Sequence, residues 1–269
     1  MKAAALLLVL FRSLNAVALE PPQPDYTSIV VDGRELSLTF EDNFDGTQLD
    51  LTKWERCPEW PRQDLNDHWD DSMSWLDGEG NLIIGMDYDE KTDRYLSGGV
   101  RSKGIFEQQF GYFEIRCTVN SVPGYWTAFW LMSESVGGET RGGLDGTEID
   151  IYESAYYKQS IIQHTLNWDG YGEAHKAEGV QVKADVYDGE YHTFSCLWTR
   201  DEYVFYIDGT ETWRTKAEAA GGTSRAESYM KITAEMGSWT KWTDDCIVDP
   251  KQLPDTMKVD YVRVYQLND

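Results

Sequence analysis

From residue 36 onward the chain repeats one pattern: short runs of β-branched and aromatic residues broken by turns rich in glycine and aspartate. The runs fall at residues 36–40, 82–86, 112–119, 128–132, 149–152, 203–207, 230–234 and 259–265. Side chains of these types fit a pleated, half-buried surface. Between the runs stand Asp77-Gly78, Ser97-Gly98-Gly99, Gly137-Gly138, Asp188-Gly189 and Asp208-Gly209, residues that reverse a chain at low steric cost. Phe205-Tyr206-Ile207-Asp208-Gly209-Thr210-Glu211-Thr212-Trp213 predicts a hairpin, because Asp-Gly supplies the two positive φ angles that a two-residue loop needs. Only residues 215–220 have a helical composition, and they are too few to form a layer. Many short strands without helices to cover them must cover one another, as a sandwich or a barrel. No repeat, low-complexity tract or linker interrupts the pattern after about residue 25, so residues 25–269 are read as one all-β domain.

Charge and length narrow the function classes. The 269 residues include 47 acidic and 24 basic side chains, a formal net charge of −23. Such an excess of carboxylates argues against nucleic acid and anionic membrane as partners, disfavours heavily sulfated polymers and leaves neutral ligands open. Lys2, the apolar residues 3–11 and Ala16-Val17-Ala18 have the form of an export signal over residues 1–18. The apolar run is well short of the ~20 residues that span a bilayer. A soluble, secreted monomer is expected. Cys57, Cys117, Cys196 and Cys246 lack zinc-ligand spacing. Cys117 and Cys196 sit in strand-like runs as core thiols. Cys57 and Cys246 lie in polar loops and could pair in an exported chain.

The segment Gly146-Thr147-Glu148-Ile149-Asp150-Ile151-Tyr152-Glu153-Ser154 alternates acids with strand formers. On a strand Glu148 and Asp150 share a face. Strict alternation would send Glu153 to the opposite face, into the core, and a β-bulge at Ile151-Tyr152 would return it to the others. Three carboxylates on one face repel and are costly to bury. Three readings remain open from spacing: a glycosidase with a nucleophile and a general acid about 5–5.5 Å apart, an oxygen-ligand metal site, or an acidic sheet edge without function.

Glu148-Ile149-Asp150-Ile151-Tyr152-Glu153 resembles the active-site signature of glycoside hydrolase family 16 in its bulged, laminarinase-like form. Other stretches are similar to that family in order and spacing. They are Leu38-Thr39-Phe40-Glu41-Asp42-Asn43-Phe44-Asp45-Gly46 with Lys53-Trp54; Ser97-Gly98-Gly99-Val100-Arg101-Ser102; Gly111-Tyr112-Phe113-Glu114-Ile115-Arg116; Gly124-Tyr125-Trp126-Thr127-Ala128-Phe129-Trp130-Leu131-Met132; and Val259-Asp260-Tyr261-Val262-Arg263-Val264-Tyr265. The resemblance implies a jelly-roll sandwich of two antiparallel sheets with a concave cleft, cleaving β-linked polysaccharide with retention of configuration. It implies Glu148 as nucleophile, Glu153 as general acid/base and Asp150 as the helper that separates their proton affinities.

Trp126 and Trp130 share a strand face, and in laminarinase-like members tryptophans at these positions line the cleft. For Trp130, filling the sandwich core is the competing expectation. His164, in the aromatic-rich stretch after the acidic strand, is expected near the leaving-group side or as a lone polar strand residue. Trp239 is a further substrate-binding candidate, although Met236-Gly237-Ser238-Trp239 departs from the Gly-Gly turn common in laminarinases. Arg62 and Trp69 are candidate cleft-wall residues. The resemblance requires no cofactor for catalysis and allows a structural calcium on the convex side, with Asp260 either a ligand to it or, equally, a capped carboxylate of the terminal strand. The substrate reading is an endo-acting β-1,3- or β-1,3-1,4-glucanase. The alternatives are a galactan-cleaving relative of the agarase or porphyranase type and a carbohydrate-binding jelly roll without activity. The last has no use for three clustered carboxylates.

Overall fold

The computed structural model describes residues 26–58, 61–62, 67–138, 141–236 and 248–268. The export-signal reading of residues 1–18 lies outside them. Among the described residues there is no α-helix, only strands and short 3-10 turns. Among the described residues no helix is long and apolar enough to cross a membrane.

The strands form two sheets packed face to face. A seven-stranded sheet runs in spatial order Lys176–Lys183, Ile161–Trp168, Glu148–Tyr156, Tyr125–Met132, Tyr229–Met236, Gly99–Arg101 and Glu55–Arg56. The larger sheet is built around the terminal strand Asp255–Leu267, which pairs with Gly111–Cys117, Leu82–Asp89 and Arg34–Asp42. Its far edge is the hairpin of Glu202–Ile207 and Thr210–Lys216. The predicted Asp-Gly loop joins these two, with φ of 49° at Asp208 and 71° at Gly209. Ser97-Gly98-Gly99, expected as a turn, is instead the crossing from the strand Arg94–Ser97 of the larger sheet to Gly99–Arg101 of the smaller. A Cβ at Gly98 would lie 2.0 Å from the Met73 carbonyl oxygen, so only glycine passes there.

Period-two alternation decides what each face of the smaller sheet meets. Tyr125, Phe129, Leu131, Ile149, Ile162, Leu166 and Ile232 point at the larger sheet and make the core with Phe113, Phe194, Phe205 and Val262. Tyr152 stacks on Phe194 with ring centroids 4.1 Å apart. Cys117 and Cys196 are free, buried thiols, as expected. Cys57, which could pair with Cys246, is likewise a free buried thiol, its proton affinity pushed up to about 11 by burial. Cys246 itself lies outside the described residues.

His164 corrects its expected place. It is fully buried on the core face of its strand, with its ring 5.0 Å from Phe205. The Ile151 carbonyl, which can only accept, lies 2.6 Å from Nδ1, and the Thr212 hydroxyl of the larger sheet lies 2.9 Å from Nε2. Nδ1–H is therefore the donor, and a neutral ring ties the two sheets together. Burial lowers its pKa from 6.5 to about 4. Between those values the unfolded chain binds a proton that the folded one refuses, so this site's contribution to stability is lost as pH falls through that window. The gap in thermal midpoint between the wild type and His164→Gln should narrow as pH drops from about 6.5 to about 4. A gap that stays constant would show that the ring titrates normally.

Candidate active site

The acidic strand Glu148–Tyr156 carries the expected bulge. Against Tyr125–Met132, Glu153 stands opposite Ala128, Tyr152 opposite Phe129, and then Asp150 opposite Trp130, so Ile151 has no counterpart. Against Ile161–Trp168 the register likewise jumps from Asp150 opposite Thr165 to Glu153 opposite Gln163. Ile151 and Tyr152 are both fully buried in the core. The inserted residue brings Glu148, Asp150 and Glu153 to one face, where all three line an open cleft of about 730 Å3. A bulge also strips a backbone group of its ladder partner; the Ile151 carbonyl finds one in His164.

Neutral donors hold the carboxylates in place. Asn167 Nδ2 donates to Glu148 Oε1 at 3.0 Å and to Asp150 Oδ2 at 2.9 Å. Its Oδ1 accepts from His175 Nε2 at 3.0 Å, which fixes which end of the amide faces the acids. The Tyr171 hydroxyl donates to Glu148 Oε2 at 2.5 Å. Burial pushes the pKa of Glu148 up, opposed by the Tyr171 bond and then by the charges of Lys231 and His175. Asp150 is driven well above the ordinary carboxylate range, first by burial and then by the charges of Glu148 and Glu153. Burial and two like charges thus favour the protonated form of Asp150.

The cleft walls are aromatic and partly cationic. Trp130 is half-buried, its Nε1 donating to Thr233 Oγ1 at 3.0 Å. Trp126 also lines the cleft but is only 3% exposed, in a small apolar cluster with Ala128 and Ala155 outside the main core. The structure thus reverses the expected weights: Trp130 is the open platform and Trp126 the packed floor beside it. Trp69 lies in the wall as expected, its Nε1 donating to the Ala234 carbonyl. Arg62 is described only in its backbone, and Trp239 lies outside the described residues. His164 is not in the cleft; its flanking neighbours Gln163 and Thr165 are. Asp260 lies on the larger sheet with its carboxylate engaged by Arg116. Among the described residues no three His, Cys, Asp or Glu side chains gather to hold a metal ion. Asn167, Tyr171, His175 and Lys231 were not found in the sequence as site residues. Only the polar positions 163, 165 and 167, alternating with Ile162, His164 and Leu166, mark that strand as having a polar face.

The chain is similar to known proteins along most of its length. A family model described as the glycoside hydrolase family 16 domain of β-porphyranases A–D matches residues 35–267. Glucan endo-1,3-beta-glucosidase A1 of Niallia circulans is 22% identical over 86% of this chain and 38% of its own length. Beta-porphyranase E of Zobellia galactanivorans is 26% identical over 85% of this chain and 86% of its own. A crystal structure of a non-specific endo-β-1,3(4)-glucanase co-crystallised with 1,3-β-D-cellotriosyl-glucose superposes with a TM-score of 0.73, at 25% identity, over 86% of this chain and 95% of that one. The chain spans less than half the length of the first curated relatives it matches.

The two tryptophans should separate in one experiment on a Glu148→Gln background, which prevents turnover. Trp130→Ala should weaken binding of a soluble substrate oligosaccharide while its thermal midpoint changes little. Trp126→Ala should lower the midpoint strongly, since truncating a buried tryptophan costs about 3–5 kcal/mol. The opposite assignment of effects would restore Trp126 as the platform.

Proposed function

The chain belongs to glycoside hydrolase family 16, and from that premise we propose that it is an endo-acting enzyme that hydrolyses a β-1,3- or β-1,3-1,4-glucan with retention of configuration. One observation carries the reading: the bulge at Ile151 gathers Glu148, Asp150 and Glu153 on one face, beside a half-exposed tryptophan in an open cleft. The ionised Glu148 carboxylate attacks the anomeric carbon while Glu153 gives its proton to the departing glycosidic oxygen, leaving a glycosyl ester on Glu148. Glu153, now a carboxylate, takes a proton from water as that water attacks the ester, which frees Glu148 and returns Glu153 to its acid form. Asp150, holding its own proton, sits beside Glu148 without adding a second full charge. A polymer too large to enter a cell agrees with the reading of residues 1–18 as an export signal.

A second reading, a galactan-cleaving enzyme, is favoured by the cleft itself. The net charge of the chain disfavours a sulfated polymer, yet Arg101, His175 and Lys231 all line the cleft with the carboxylates. The porphyranase family model and the two-sided coverage of beta-porphyranase E point the same way.

Reducing-sugar release from laminarin, lichenan, agarose and porphyran decides between them. Cleavage of laminarin or lichenan above the two galactans supports the glucanase, and the reverse order supports the second reading. In either case Glu148→Gly should lower the rate by roughly 10⁴-fold or more, and a variant retaining more than a few per cent would remove Glu148 as nucleophile. The product seen first by proton NMR should be the β-anomer; an α-anomer would overturn retention.

A further inference from the structure

We propose that Lys231 is a positioning residue of this cleft: its ammonium fixes the Trp130 platform and is the cation that faces Glu148 and Asp150 from the neighbouring wall. The inference rests on the hydrolase reading above and adds a residue to it.

Lys231 lies on the strand Tyr229–Met236, directly opposite Trp130 on one side and Arg101 on the other. It is 8% exposed. Its Nζ stands 3.7 Å from the centre of the Trp130 ring and 4.5 Å from that of Trp69, so the ammonium is held between two indoles. Burying an ammonium is costly unless its surroundings compensate for lost water, and an apolar side chain would fill the same space more cheaply. Two aromatic faces supply part of that compensation, and the carboxylate face of the cleft supplies a reason to keep the charge. Arg101, which shares this wall, has its Nε paired to Glu55 Oε1 at 2.6 Å.

The same strand pins the other edge of the platform. Trp130 Nε1 donates to the Thr233 hydroxyl, which donates to Glu235 Oε1 at 3.2 Å. With its N–H anchored and its face against Lys231, the ring has one orientation, and its remaining exposed surface is available to a sugar.

The groups facing Glu148 are Asp150 and Glu153 on its own strand, Tyr171 and His175 on the segment beyond the next strand, Lys231 and Glu235 from Tyr229–Met236, and Arg101 beside them. Of these charges, Lys231 and then His175 oppose the effect of burial on Glu148, and Lys231 also opposes it on Asp150. Removing the Lys231 charge makes both acids harder to ionise, so the rate that depends on ionised Glu148 is lost at a higher pH.

The test compares Lys231→Met, which keeps an unbranched stem between the rings, with Lys231→Arg, which keeps the charge. The acid limb of kcat/KM against pH should move up in Lys231→Met by about half a unit to one unit and return toward the wild-type position in Lys231→Arg. A titration of the glutamate and aspartate carboxyl carbons by 13C NMR should show the same upward movement for Glu148 without any substrate. An unmoved limb and an unmoved titration in a folded Lys231→Met would overturn the proposal. So would a shift that Lys231→Arg, folded as well as the wild type, fails to reverse. If Lys231→Met does not fold, Lys231→Gln carries the same readouts. Should the wild type cleave no β-linked polysaccharide, the hydrolase reading fails on that panel, while the carboxyl titration still decides the placement of Lys231.

Discussion

One inserted residue governs this molecule. Without the bulge at Ile151, strict alternation along Glu148–Tyr156 would point Glu153 into the layer where Tyr152 stacks on Phe194. An unpaired carboxylate in that layer would cost several kcal/mol, whereas a bulge costs a local break in the ladder. The break is repaired from both sides. The Ile151 carbonyl receives the His164 N–H, and Ile151 and Tyr152 sink together into the core. The pattern of acids on the strand is thus tied to the packing behind it, so the cleft and the core are two faces of one constraint.

Holding three acids together then sets the chemistry of everything around them. Asn167 divides its two N–H groups between Glu148 and Asp150, and Tyr171 occupies the other Glu148 oxygen. These are neutral donors, which orient carboxylates without adding ions to desolvate. The Lys231 ammonium opposes the effect of burial on both acids from the neighbouring strand. Burial, and then the charges of Glu148 and Glu153, push Asp150 well above the ordinary carboxylate range. The net charge of −23 gives no hint of this arrangement. It sums over the whole chain, whereas the field in a cleft depends on the few groups that face it.

The strand pattern was legible because its causes are local. Every run of β-branched and aromatic residues read as a strand is one, and the division of Tyr125–Met132 into a core face and a cleft face follows from period two alone. The bulge was legible for a related reason: acid spacing and the cost of burying Glu153 left one inexpensive geometry. Where reading failed, the deciding contact was remote. His164 could be placed on a face only by knowing the phase of its strand relative to the core, and that phase is set by Thr212 and Phe205, on the far sheet. Cys57, which could have paired, is a lone buried thiol, and the Asp260 carboxylate is engaged by the guanidinium of Arg116.

The amino-acid order by itself determined an all-β chain, the turn at Asp208-Gly209, which residues share a strand face and the acid triplet with its extra residue, since each depends on neighbours a few positions apart. The tertiary structure alone decided what surrounds the triplet. Lys231 meets Trp130, Asn167 meets Glu148, and Trp69 closes the wall because strands far apart in sequence lie side by side in the sheet. No local periodicity encodes that adjacency. Burial separated Trp126 from Trp130 for the same reason: two identical residues on one strand face differ in what the rest of the fold lays over them.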